Sequence, residues 1–147
     1  MKLEQTNRII IKIGSALLFN ETSGSLNKEW LNSLAEDVKY LRENDKEVII
    51  VSSGAIAMGA KDLDLDMKNM KMDMNQAVSA VGQIHLMGSF KSAFEKNEIK
   101  ISQILLTLDD TEQRRRSINA RRTIDTLLKL GIVPVVNEND TIATSEI

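Results

Sequence analysis

The chain has 147 residues, 42% of them hydrophobic, which is enough for one compact domain with its own core. Its net charge of −2 gives no overall attraction to nucleic acid or to an anionic membrane, so any anion site has to be built from local groups. The absence of cysteine excludes disulfides, thiolate metal sites and a cysteine nucleophile. Without a membrane-length apolar run or a signal-peptide pattern, we expect a cytoplasmic protein.

The first third of the chain predicts a strand, a helix and a second strand. An apolar run at residues 9–13 predicts the first strand. After a polar loop, Asn27 is a candidate N-cap, and apolar residues then recur at helical spacing over 30–41. The second strand follows at 48–51. Continuous apolar runs of this kind are typical of parallel strands that are buried on both faces.

The middle of the chain predicts a loop and a long helix. Residues 62–72 are polar and lack sustained periodicity, which predicts the loop. Asp73 and Gln76 have the spacing of a capping box, and apolar stripes on two sides of the helix follow as far as Phe94. One stripe is expected to face the sheet, and the other suggests a second subunit as a hypothesis.

The last third predicts a strand at 99–106, a helix at 117–130 that ends at Gly131, and a strand at 132–136. Pro134 lacks a backbone N–H, so this strand is expected to pair on only one side at that residue. The order is βαβαβαβ. It predicts a three-layer α/β/α sandwich on a mostly parallel sheet.

Two predicted strands run directly into small polar turns, Gly14-Ser15 after the first and residues 53–55 after the second. Ligands of open α/β sheets bind at the carboxyl ends of the strands, where backbone N–H groups favour negative charge. Lys12, just before the glycine turn, is therefore a candidate cation for a phosphate, with a surface charge as the alternative. The second turn is a candidate carboxylate site, with an ordinary strand-to-helix turn as the alternative.

A third polar cluster, residues 137–140, follows the last strand and suits an ammonium group, with a capped turn as the alternative. The single histidine, His85, lies on an apolar helix stripe and is expected to be structural. Because no other histidine is present, a reaction that needs no general base fits these residues. Phosphoryl transfer to a substrate carboxylate is one, because the nucleophile is already ionised at neutral pH.

An arginine cluster near the start of the last helix could meet phosphate, but acidic residues lie beside it. A solvated or subunit-facing surface is the preferred interpretation, and no nucleic-acid partner is expected. The members of the cluster are Arg114, Arg115, Arg116, Arg121 and Arg122.

Five segments form the most specific pattern in the chain: residues 11–15, 51–59, 103–107, 119–121 and 131–140. Together they resemble the glutamate 5-kinases, a branch of the amino acid kinase family. The resemblance runs nearly end to end, and its order and spacing are more specific than any single motif. It implies ATP- and Mg²⁺-dependent phosphorylation of the γ-carboxylate of L-glutamate to glutamyl 5-phosphate, the first step of proline biosynthesis, with proline as a feedback inhibitor. A homo-oligomer is expected from the second apolar stripe of the long helix.

The resemblance also implies residue roles. Lys12 would contact the ATP phosphates and, as the catalytic residue, stabilise the transferring group. Gly14 and Ser15 would line the phosphate path. No metal ligand is assigned. The residues implied to bind the substrate are Ser53, Gly54, Ala55, Asn137 and Asp140.

By the same resemblance, residues 1–147 correspond to the N-terminal, glutamate-binding part of the family's catalytic domain. The nucleotide-binding half is absent, so we expect these residues alone to have little or no kinase turnover. Two alternatives stay open. One is a related carboxylate kinase such as acetylglutamate kinase, and the other is a non-catalytic module for glutamate binding or oligomerisation.

Overall fold

The computed structural model describes residues 5–20 and 25–143. Within these ranges no helix is both long and apolar enough to cross a membrane. The four strands described are β1 (Arg8–Ile13), β2 (Glu47–Ser52), β3 (Ile101–Leu106) and β4 (Val133–Glu138). The helices described are α1 (Ser15–Leu18), α2 (Lys28–Glu43), α3 (Ala55–Asp62), α4 (Met72–Glu95), α5 (Leu108–Glu112) and α6 (Arg114–Lys129).

The four strands form one parallel sheet in the order β1-β2-β4-β3. The connections from β1 to β2 and from β2 to β3 cross the sheet in one direction, whereas the connection from β3 to β4 returns. Because such crossovers are right-handed, α2 and α4 cover one face and α6 covers the other. The parallel sheet and the three-layer arrangement predicted from the sequence are therefore confirmed.

The main core lies between the sheet and the pair α2 and α4. Phe90 and Phe94 of α4 are fully buried in it, with ring centroids 6.1 Å apart. Alternate residues of the strands point toward these rings, since side chains alternate between the faces of a sheet. The strand residues in or against this core are Ile11, Ile13, Val48, Ile50, Ile101, Val133 and Val135.

Helices α3 and α4 pack backbone against backbone through two glycines. A Cβ atom on Gly59 would lie 2.0 Å from the carbonyl oxygen of Val78, and one on Gly82 would lie 1.8 Å from that of Ala55. No side chain larger than hydrogen fits at either position. Since Ala55 is the first residue of α3, α4 directly supports the turn that follows β2.

Two local predictions are confirmed. Asn27 caps α2, and its Oδ1 accepts a hydrogen bond from the Trp30 N–H at 3.1 Å. At Pro134, β4 pairs with Ser102 of β3, whereas its register with β2 begins only at Val135. Proline, which has no N–H to donate, thus lies where β4 pairs with only one of its two neighbouring strands.

The capping box predicted at Asp73 is wrong. Helix α4 begins one residue earlier, at Met72, and its N-cap Lys71 makes no side-chain capping hydrogen bond. Asp73 therefore lies in the first turn, where a carboxylate interacts favourably with the helix dipole instead. This leaves the side chain of Gln76 available for another contact.

Of the two apolar stripes predicted on α4, the one that contains Leu86, Phe90 and Phe94 is buried against the sheet. The other stripe is largely open, since Ile84 is 74% exposed and Met74 is exposed as well. The buried face also includes Ser79, Gly82 and Gln83, which neither stripe contained. Hydrophobicity alone does not mark such small and amide residues as internal, because their burial depends on contacts made by their neighbours.

Two short helices and one helix start were missed. α1 follows Gly14 directly, α5 precedes the predicted last helix, and that helix begins at Arg114 instead of Ser117. A signal for α5 was present, because Thr107 and Asp110 form a complete capping box.

Candidate functional site

The predicted site residues lie at the carboxyl edge of the sheet. Lys12 is level with Val51 of β2, and Val51 is level with Val136 of β4. The polar clusters that follow these three strands therefore leave the sheet at neighbouring points of one edge. This proximity follows from the parallel register.

The turns after β1 and β2 are in contact. The Ser53 hydroxyl donates to the carbonyl oxygen of Ile13, with 3.4 Å between the oxygens. Gly54 has a φ of 102°, and a Cβ atom there would lie 2.9 Å from the ring of Phe19 and 3.4 Å from the Cβ of Ser15. Both the backbone conformation and the close approach require glycine at this position.

Lys12 is exposed near the end of β1. It lies on the sheet face opposite the main core, because its neighbours Ile11 and Ile13 contact that core. Gly14 has an ordinary φ of −76°, and a Cβ atom there would meet nothing within 4 Å. The backbone beside Lys12 thus faces open space that a ligand can approach.

The end of β4, which extends to Glu138, contains a buried amide with an unpaired donor. Asn137 is 4% exposed, and its Oδ1 accepts a hydrogen bond from the Glu138 N–H at 2.8 Å. Its Nδ2 has no hydrogen-bond partner among the residues that the structure describes. Because a buried unpaired N–H is costly, this group favours an acceptor supplied by a ligand.

A tight turn follows Asn137 and contains Asp140. The carbonyl of Asn139 accepts hydrogen bonds from the N–H groups of Ile142 and Ala143. The Thr141 hydroxyl also donates to Asn139 Oδ1. Asp140 is therefore held in an ordered, partly buried segment at the same edge as the two glycine turns.

An open cavity of about 590 Å³ lies beside the contact between the turn after β1 and the turn after β2. It extends from Ser15 in α1 to Lys61 in α3, and its walls include Phe19, Ala57 and Met67. A separate groove of about 490 Å³ between α2 and α4 contains none of the predicted site residues.

His85 is not at the sheet edge. It is half-exposed instead of packed into an apolar stripe, and its Nε2 lies 3.2 Å from the Asp62 carboxylate. This pair joins α4 to the end of α3. Sequence reasoning missed Gln76 and Gln83, two residues of α4 that contact the segment after β4. Their spacing of seven residues, which puts them on one helix face, was the available signal.

Comparison with known proteins decides the family. The model of the amino acid kinase family matches residues 7–147, almost the whole chain. The chain belongs to the amino acid kinase family. This confirms the family expected from the turn and strand motifs.

Relatives of the chain within this family are named glutamate 5-kinases. The chain is 57% identical over 147 residues to the glutamate 5-kinase of Pelagibacter ubique, covering 100% of this chain and 40% of that protein. It is 52% identical to the glutamate 5-kinase of Ruegeria sp., covering 99% of this chain and 39% of that protein. The chain thus spans about two fifths of these curated relatives.

A solved structure shows the same fold. The product complex of T. acidophilum isopentenyl phosphate kinase superposes with a TM-score of 0.61 at 17% identity. The match covers 89% of this chain and 54% of that one. At 17% identity this similarity concerns the fold of the chain alone.

Proposed function

We propose that this chain is the N-terminal, glutamate-binding part of a glutamate 5-kinase. The enzyme would transfer the γ-phosphoryl group of ATP to the γ-carboxylate of L-glutamate, the first step of proline biosynthesis. The names of the relatives support this, and the contact between the turns after β1 and β2 carries it physically. That contact joins a candidate phosphate site to a candidate carboxylate site. Inhibition by proline and assembly into a homo-oligomer stay predictions.

The substrate would lie between the turn after β2 and the turn after β4. Backbone N–H groups that follow Ser53 and Gly54 at the start of α3 favour a carboxylate. The unpaired Nδ2 donor of Asn137 suits a carboxylate oxygen, and the negative charge of Asp140 suits the substrate ammonium group. An amino acid with a second carboxylate would thus find a partner for each of its charges.

The reaction needs no general base, because the γ-carboxylate is ionised at neutral pH. One carboxylate oxygen would attack the γ-phosphorus, and the bond from that phosphorus to the bridging oxygen of ADP would break. Lys12 would reduce the repulsion between the two anions, and the N–H groups at Gly14 and Ser15 would orient the phosphates.

Mg²⁺ accompanies ATP in such reactions and neutralises phosphate charge. Within residues 5–20 and 25–143, no three His, Asp or Glu side chains come together as a metal site. We assign no residue of this chain to the Mg²⁺ ion.

Calorimetric titration tests the substrate. We expect the 147-residue chain to bind L-glutamate more tightly than aspartate or N-acetylglutamate. Ser53→Ala should weaken binding about three- to tenfold, because it removes the hydrogen bond that holds the turn after β2 against Ile13. Ser89→Ala is the matched control, because the Ser89 hydroxyl bonds only within α4, to the carbonyl of His85.

Three results would count against the proposal. Tighter binding of N-acetylglutamate would favour a related carboxylate kinase, and no binding of any of the three would contradict an amino acid site. Full turnover by these residues alone in a coupled assay would contradict the assignment of the nucleotide-binding half to a region beyond them.

A further inference from the structure

We propose that Gln76 and Gln83 of α4 are positioning residues for the amino acid pocket. They would hold the turn that contains Asp140 at a set distance from the turn that follows β2. This inference rests on the proposed function and adds to it a device that selects the substrate.

The two glutamines bracket the segment that carries Asp140. Gln83 Nε2 donates to the carbonyl oxygen of Glu138, and Gln76 Nε2 donates to that of Ala143, each at 3.3 Å. Residues seven apart lie two turns apart on the same face of a helix. One rigid helix therefore holds both ends of residues 138–143.

The side chain of Gln83 is committed to this contact. It is 6% exposed within a helix face whose next buried residue is Leu86. Its Oε1 accepts a hydrogen bond from Gln103 Nε2 of β3 at 3.0 Å. Since both ends of the buried amide are paired, rotation away from Glu138 would leave polar groups unsatisfied.

The same turn of α4 supports the opposite wall of the pocket. Gly82, the residue before Gln83, approaches the carbonyl of Ala55 so closely that a Cβ atom would lie 1.8 Å from it. One stretch of helix thus contacts the turn after β2 and the segment after β4. The helix sets the distance between the groups proposed to bind the two ends of L-glutamate. A fixed distance of this kind would favour L-glutamate over a substrate that is one methylene shorter.

The test uses the full-length gene product and steady-state kinetics. Methionine fills nearly the same space as glutamine but cannot donate, so Gln76→Met removes only the bond to Ala143. Gln83→Met removes the bond to Glu138 and also takes away the acceptor of the Gln103 amide. We expect each to raise KM for L-glutamate about three- to tenfold, the loss typical of one hydrogen bond, and to leave KM for ATP unchanged. The preference for L-glutamate over aspartate should fall. Gln113→Met, at an exposed position before α6, is the control.

Hydrogen exchange provides a readout that needs no substrate. The Ala143 N–H donates to the carbonyl of Asn139, so its exchange should be faster in Gln76→Met, while amides in the middle of α4 should keep their protection.

Unchanged KM for L-glutamate in both variants would overturn the inference. Equal increases in both KM values would also overturn it, because they indicate a general structural role. If Gln83→Met does not fold, Gln76→Met decides. Absence of L-glutamate turnover in the parent enzyme would instead contradict the proposed function, and exchange at Ala143 would still show whether the glutamines hold the segment.

Discussion

The two faces of the sheet are stabilised by different interactions. On the face covered by α2 and α4, Ile50 is fully buried and the helices contribute a continuous apolar core. On the opposite face, Ile10 is 64% exposed and α6 contributes no buried residue. Apolar burial therefore stabilises mainly the layer that supports the turn after β2 and the segment after β4. The layer of α6 depends more on exposed polar contacts.

Ion pairs supply part of the attachment of α6. Arg8 of β1 lies 2.9 Å from Asp125, and Arg116 lies 3.1 Å from Asp110 in the first turn of α5. Exposed pairs of this kind typically contribute about 0–1 kcal/mol each. The other arginines of the predicted cluster are exposed, which agrees with a solvated surface: Arg114, Arg115, Arg121 and Arg122.

Removing one aromatic ring from the main core should give the largest loss of stability. It should also distinguish most clearly between the contributions of the two faces of the sheet. Phe90→Ala is expected to lower the free energy of unfolding by about 3–5 kcal/mol, because it leaves a cavity between α4 and the sheet. Ile118→Ala on α6, where the side chain is 41% exposed, should cost less than about 1 kcal/mol. Urea unfolding measures both values. Similar losses would show that the two layers are equally important.

Adding one methyl group to α4 should give the next largest effect. Gly82→Ala places a Cβ atom against the carbonyl of Ala55, so α3 has to move, at a cost of about 3 kcal/mol or more. Gly88→Ala is the matched control on the same helix. Its Cβ atom meets nothing within 4 Å, so it should stabilise the helix by about 0.5–1 kcal/mol. Thermal unfolding measures the stability of both variants. Equal changes in stability would contradict the close-packing argument.

The smallest expected effect depends on pH and concerns the α6 side. The pKa of Asp110 is lowered from 3.8, first by the backbone N–H of Thr107, then by the Thr107 hydroxyl and Arg116. Since the folded pKa lies below the unfolded one, the stabilisation is present above about pH 4 and is lost as the pH falls through the folded pKa. The stability difference between the parent chain and Asp110→Asn should therefore shrink from pH 5 to pH 3. A constant difference in urea unfolding would show that the charge of Asp110 contributes nothing.

Much of the candidate site was predictable because it depends on residues that are close together in the sequence. Apolar runs that end in Gly14-Ser15 and in residues 53–55 identify strand ends, and parallel strands bring such ends to one edge. The cap at Asn27 was equally readable, since the amide bonds to an N–H only three residues away. The sequence alone thus determined the parallel α/β class and the turns that form the edge.

The tertiary structure decided which residues support that edge. The capping pattern at Asp73 and Gln76 predicts a local pairing, yet Gln76 bonds to Ala143 and Gln83 to Glu138, 67 and 55 positions away. Helical periodicity records hydrophobicity within one element and holds no information about the carbonyl groups that another element will present. Gly82 and Gln83 were recognisable as inward-facing residues only once α3, α4 and the end of β4 were packed together. Their roles depend on groups that the folded chain brings within hydrogen-bonding or van der Waals distance.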